Sequence, residues 1–337
     1  MLIDFLQSVK SKLMFNKISF KARKKDQAEL EVFDQIRRSC SNELREKGFE
    51  TDVYLLPGGV GIRILNKNHS DLSKISHLPV KEIDFHYEGE ADLDGLSASK
   101  SLKGLLFSKS ELSSFANLKH LNLNKIHADG IKTQDFEFLN NHPLTELSLR
   151  KTELNSLDFL KNTAIEILLI SNTQIGDRGL QSLTTPELRV IDLFKCPVTS
   201  LFPLRRFDLE DINISGTEVQ DLNPLKSCPI KKLEVRATKI NELSPISGCP
   251  IEILNLPGSL VTSLSCISNC PIYDLNIVGL DIEDLSPLLN LPLIRLSISR
   301  DNIKNSHIDI LRKLDLKFLN SPGDPIDQTP EAFFAKV

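Results

Sequence analysis

Cys228, Cys249 and Cys270 stand 21 residues apart, each directly before a proline: Pro229, Pro250 and Pro271. Evenly spaced thiols raise two chemistries, metal ligation by thiolates and disulfide exchange. The other catalytic vocabularies are sparse. LPGGVG at Leu56–Gly61 is glycine-rich but lacks the Lys-Ser/Thr that follows a phosphate-cradling loop. The seven histidines form neither H-x-x-x-H nor H-E-x-x-H, and no G-x-S-x-G elbow occurs. The acid pairs Glu210-Asp211 and Glu283-Asp284 fall where solvated charge explains them. No catalytic, cofactor-binding or metal-binding residue is assigned, and the expectation is a protein that is not an enzyme.

The elements that must carry those cysteines explain their interval. Aligned on an apolar opener, the units start at Leu144, Ile165, Leu188, Leu209, Ile230, Ile251, Ile272, Leu293 and Leu316, with steps of 21 or 23. Within a unit, apolar residues fall at places 1, 4, 6, 11, 14 and 17. Proline recurs at place 16 (Pro203, Pro224, Pro245, Pro287) and at place 21 (Pro229, Pro250, Pro271, Pro292). Places 4 and 6 alternate with polar residues, the period of a strand with one buried face. Proline lacks a backbone N–H and fixes φ, so places 16 and 21 suit turns. One such coil cannot bury its apolar face alone; stacked coils share one core. Residues at one place in successive coils then form a ladder of about 4.8 Å pitch. Cys228 and Cys270 would lie about 10 Å apart, too far for sulfurs that must each reach about 2.3 Å from one zinc ion. The cysteines are therefore expected to be small, buried residues at the corner of each coil.

The pattern L-x-x-L-x-L-x-x-T-x-L resembles the leucine-rich repeat family, in the short form found in many bacterial members. Thr152, Thr173, Thr217 and Thr238 occupy the ninth position, where most members have Asn. The resemblance covers about residues 72–320 and is irregular near Val80, Leu102 and Leu118. It implies an α/β repeat solenoid of about eleven coils. The solenoid would be curved, with a parallel β-sheet on the concave face and turns or short helices on the convex face. The longer coils Ile165–Glu187 and Leu118–Pro143 leave room for a short outer helix. Four segments are expected: a basic amphipathic segment at 1–25, a cap of helix plus β-hairpin at 26–70, the solenoid at 71–320 and a C-terminal cap at 321–337. In the first cap, Leu30, Phe33, Ile36, Cys40 and Leu44 form a helical stripe stopped by Gly48, and Pro57-Gly58-Gly59 marks the hairpin turn. In the second, Thr329 and Pro330 open a helix whose Phe333 and Phe334 close the last coil.

Function is then a matter of surface. The resemblance implies protein–protein recognition through the concave strand face. Ile167, Leu169, Val190 and Phe194 fall on outward places of two adjacent coils, and an exposed apolar patch is a partner signal. Arg150, Lys151, Asp192 and Lys195 neighbour it, and Asn213, Glu234 and Arg236 extend the same face. A second reading is a membrane-surface adaptor. Leu2, Phe5, Leu6, Val9 and Leu13 form an apolar helical stripe followed by a basic cluster that includes Lys21, Arg23, Lys24 and Lys25. A third is an accessory recognition protein of a bacterial signalling system. Residues 1–25 carry a net charge of +6 and the whole chain −4, so no nucleic-acid partner is expected. The chain is 40% apolar and 26% charged, which reads as globular. No apolar stretch reaches 18 residues, and no signal-peptide pattern opens the chain. A cytoplasmic location, peripheral to the membrane under the second reading, is expected.

Overall fold

A computed structural model describes residues 23–67, 71–112, 118–133 and 136–336. Leu2, Phe5, Leu6, Val9, Leu13 and Lys21, and with them the membrane-contact reading, lie outside the described residues; Arg23, Lys24 and Lys25 open the first helix.

That helix, α1 (Arg23–Glu46), buries Cys40 and Leu44, with Ile36 partly covered, against the first hairpin. Gly48 ends it in the left-handed region (φ 87°), which a residue with a Cβ adopts only at a cost. The hairpin pairs β1 (Thr51–Leu56) antiparallel with β2 (Gly59–Ile64) around Pro57-Gly58, so Gly59 belongs to the strand rather than to the turn. Twelve further strands extend the sheet in parallel: β3 (Val80–Phe85), β5 (Gly104–Leu106), β7 (Lys125–His127), β8 (Glu146–Ser148), β9 (Ile167–Leu169), β10 (Val190–Asp192), β11 (Asp211–Asn213), β12 (Lys232–Glu234), β13 (Ile253–Asn255), β14 (Asp274–Asn276), β15 (Arg295–Ser297) and β16 (Phe318–Asn320). A separate two-stranded sheet joins β4 (Gly89–Glu90) to β6 (Ser110–Glu111). From β7 onward the register never shifts: Asp211 lies beside Lys232, Lys232 beside Ile253, Ile253 beside Asp274. A 21-residue step thus maps every place of one coil onto the same place of the next. The two long coils place α2 (Asp177–Leu180) and a 3-10 turn (Glu137–Asn141) where their extra residues fall.

The repeat positions explain themselves physically. Places 1, 4, 6, 11, 14 and 17 of the unit from Leu209 are all buried. The place-16 prolines Pro203, Pro224, Pro245 and Pro287 sit in the first turn of short 3-10 helices, where their missing N–H costs nothing. The place-9 threonines are buried and satisfied within their own coil. Each hydroxyl donates to the carbonyl three residues back: Thr152 to Leu149 (2.8 Å), Thr173 to Ile170 (2.8 Å), Thr217 to Ile214 (2.6 Å) and Thr238 to Val235 (2.7 Å). Threonine closes this corner with a donor shorter than an Asn side chain.

Place 8 is left-handed in coil after coil. Gly216, Gly258 and Gly279 have φ of 70–78°, and Lys151, Asn172, Lys195 and Ala237 have φ of 49–56°. A non-glycine residue there costs roughly 1–2 kcal/mol, against roughly 0.5–1 kcal/mol of backbone entropy for glycine. Ala237→Gly is therefore expected to stabilise the chain by about 0.5–1 kcal/mol, seen as a higher urea midpoint.

At the far end, α3 (Asn305–Leu311) fills the last long coil and α4 (Pro330–Phe334) covers β16. The Thr329 hydroxyl accepts from the Ala332 amide (3.4 Å), and Phe333 is fully buried. Asp324 ties this cap together, accepting from Arg300, Lys336 (2.9 Å), Gln328 (2.8 Å) and the Ser321 amide (3.0 Å). The hydrogen bond from Arg300 comes first among the contacts that hold its carboxyl far below the usual range.

Candidate partner-binding face

The cysteines can be set aside on geometry. Cys228, Cys249 and Cys270 are buried at 6%, 5% and 2% exposure, and burial raises all three thiols. Cys228 Sγ lies 3.4 Å from the Phe207 carbonyl and Cys270 Sγ 3.8 Å from that of Ile246. A protonated, carbonyl-facing thiol is neither a nucleophile nor a ligand.

The strand face is different. Each three-residue strand turns its middle residue into the core and its first and third outward, so places 3 and 5 form two rows across the sheet. Toward the N-terminal end these rows carry a connected polar chain. Tyr54 Oη donates to Glu82 Oε1 (2.6 Å), Lys125 Nζ reaches Glu82 Oε2 (2.8 Å) and Glu146 Oε1 (3.6 Å), and His127 Nε2 meets Glu146 Oε1 (2.9 Å). Two glycines make room for it. A Cβ on Gly61 would lie 2.2 Å from the Tyr54 ring, so that ring lies over bare backbone. Gly104 lies on β5, between Glu82 on β3 and Lys125 on β7, and its missing side chain lets the lysine reach across a whole coil. Burial and the Glu82 charge push the Tyr54 phenol far above its ordinary range. Burial alone would lower Lys125, but the Glu146 and Glu82 charges outweigh it and the ammonium is held on. None of these five residues was picked from the sequence as a site residue. Their signal was the place-3 row, where Glu146 and Lys125 stand in register.

The residues picked from the sequence lie further along. Ile167 and Val190 are half-buried and directly paired on β9 and β10. Phe194 is half-buried with Lys195 Nζ 5.2 Å from its ring centre; Lys151, Lys195 and Arg236 are exposed. Leu169 departs from the expectation of an exposed anchor, with only 4% of its surface accessible. Arg150, in the coil of β8, sends Nε to Asp192 Oδ2 on β10 (3.3 Å), across the strand that carries Leu169. Arg150 also meets Asp129 (3.4 Å), and Asn213 Nδ2 donates to Asp192 Oδ1 (3.0 Å). Lys232 pairs with Glu234 (2.9 Å).

Asp211, beside Val190 and Lys232, has its carboxyl pushed up to about 6, first by burial and then by Glu234 and Asp192, against the pull of Lys232. Its folded value exceeds the unfolded one. The associated stability is therefore present below about pH 4 and lost as pH rises through 6. Asp211→Asn is expected to remove that slope and to raise stability at pH 7.5 by about 1 kcal/mol; urea melts at pH 4.5 and 7.5 measure both effects.

Among the described residues, no helix is long and apolar enough to cross a membrane, and no three metal-ligating side chains converge. The whole arrangement, one parallel strand per coil beneath a ribbed polar face, is the leucine-rich repeat solenoid. No family model and no curated protein matches the sequence. Solved structures share its fold. An internalin, InlF, of Listeria monocytogenes aligns at TM-score 0.53 and 19% identity over 70% of this chain and 80% of its own. A leucine-rich repeat protein of Leptospira interrogans aligns at 0.57 and 18%, over 78% and 72%. The Arabidopsis receptor kinase HAESA, solved with a peptide hormone and a co-receptor, aligns at 0.51 and 14%, over 81% and 60%.

Proposed function

We propose that this protein is a non-catalytic recognition module that binds a protein partner through the strand face of its solenoid. The observation that carries the reading is the run of partly exposed outward positions from β9 to β12, where Ile167, Val190 and Phe194 stand among Asp192, Asn213, Glu234 and Arg236. Such a surface is preformed, because Ile167, Val190, Asp192, Asn213 and Glu234 are mounted on hydrogen-bonded strands over a packed core, and little ordering entropy is lost on binding. Apolar and aromatic anchors ringed by charge are the composition of binding hot spots. The receptor kinase of the same fold, bound to a peptide hormone and a co-receptor, supports a polypeptide partner.

The test is affinity purification from the native cell with quantitative mass spectrometry, comparing the natural chain with Val190→Asp/Phe194→Asp. Specific partners are expected to be depleted at least about tenfold by the variant, the loss of about 1.4 kcal/mol or more. Leu169 is left intact, because a carboxylate at that buried position would damage folding. Retention of every specific partner by the double variant would overturn the placement.

A further inference from the structure

We infer that the segment recognised on the strand face presents a lysine or arginine, flanked by apolar side chains, to Asp211. This deepens the proposal above and rests on it. On the parallel strands of the fourteen-stranded sheet, seven carboxylates stand at outward places: Glu82, Asp84, Glu146, Asp192, Asp211, Glu234 and Asp274. Six have a cationic side chain within 4.0 Å: Lys125 for Glu82 and Glu146, Arg63 for Asp84, Arg150 for Asp192, Lys232 for Glu234 and Arg295 for Asp274. Asp211 alone among these described residues has neither an ion pair nor a side-chain hydrogen bond. The lysine beside it, Lys232, has its ammonium 2.9 Å from Glu234.

The position of this carboxylate selects its partner. Across the sheet the place-3 row runs Ile167, Val190, Asp211, Lys232, Ile253. A partly desolvated carboxylate thus lies at the edge of an apolar pair, at the centre of the regular strands. A lysine or arginine could lay its methylene stem on Ile167 and Val190 and bring its head to the carboxylate. An anionic or purely apolar segment would bury that charge further with only the partial pull of Lys232 to offset it. The charged groups acting on Asp211 are Asp192 from β10, itself paired with Arg150, and Lys232 and Glu234 from β12, whose ammonium and carboxylate meet each other. Because burial raises this carboxyl and an incoming cation would lower it, binding is expected to strengthen as pH rises from 5 to 7.5.

A phage-displayed random dodecapeptide library, panned on the immobilised full-length chain, supplies the probe. Selected peptides are resynthesised with a fluorophore and measured by anisotropy. The expected result is enrichment of Lys or Arg flanked by apolar residues. Affinity should fall at least about tenfold for Asp211→Asn, whose side chain keeps its shape and loses its charge. Phe202→Ser, on the outer 3-10 turn, should change nothing. Binders without cationic enrichment, or with equal affinity for Asp211→Asn, overturn the inference, as does a library that yields no binder. If such binders are still lost with Val190→Asp, the strand-face reading survives and only the role of Asp211 falls. If they bind Val190→Asp as well as the natural chain, both fall.

Discussion

Replacing Lys125 by Met should lower the unfolding free energy by about 3–5 kcal/mol at pH 7.5 and by much less at pH 4.5. The lysine lies between Glu82 and Glu146, whose side chains are only 10% and 9% exposed. Methionine is of similar length but removes the charge, leaving the Glu82 and Glu146 carboxylates on either side of position 125 with no ammonium between them. Burial and mutual repulsion then act on the two charged carboxylates with no ammonium to offset them. Protonation removes that charge, so the variant regains stability as pH falls. Urea denaturation followed by circular dichroism at the two pH values measures this. An equal loss at both would mean that the lysine acts through packing alone.

Gly61→Ala should be nearly as damaging, by about 2–4 kcal/mol, although it adds one methyl group. That carbon would stand 2.2 Å from Tyr54 Cε2 and 2.3 Å from Cζ, distances no relaxation of a ring held at both ends can absorb. The ring must leave, and with it the 2.6 Å hydrogen bond to Glu82. Tyr54→Ala alone should cost about 1–3 kcal/mol for the lost bond and ring burial. The double variant should cost far less than the sum, because without the ring the alanine has nothing to strike. Thermal melts of the three variants complete the cycle; additive losses would show that the damage at Gly61 lies in the backbone.

The pitch, the core places and the turn prolines were legible in the sequence, since each depends on residue type at a fixed interval and the 21-residue step preserves register. What escaped depended on reach. Leu169 occupies an outward place yet is buried, on the strand that the Arg150–Asp192 pair crosses, a pair made only by a long side chain reaching past one coil. The Tyr54–Glu82–Lys125–Glu146 chain escaped for a related reason. It arises in the least regular coils and depends on two glycines whose role is to be empty. Asp211 was read as solvated charge; its setting becomes visible only when each neighbouring ion pair is assigned. The place-8 ladder of left-handed residues was also hidden, because lysine, asparagine and alanine do not advertise a positive φ.

The side chains that reach across an intervening coil bear on how the solenoid comes apart. In a stacked array each coil ordinarily interacts with its immediate neighbours, so unfolding can propagate one unit at a time from a free end. Lys125 joins β7 to β3, and Arg150 joins the coil of β8 to β10, each skipping the coil between. These ties lengthen the cooperative unit over the N-terminal half. Cutting one coil there loosens two boundaries at once, and the region from β3 to β10 should open as a block. Further along, Lys231 meets Glu210 and Lys239 meets Glu218 (2.6 Å), ties between adjacent coils rather than across one.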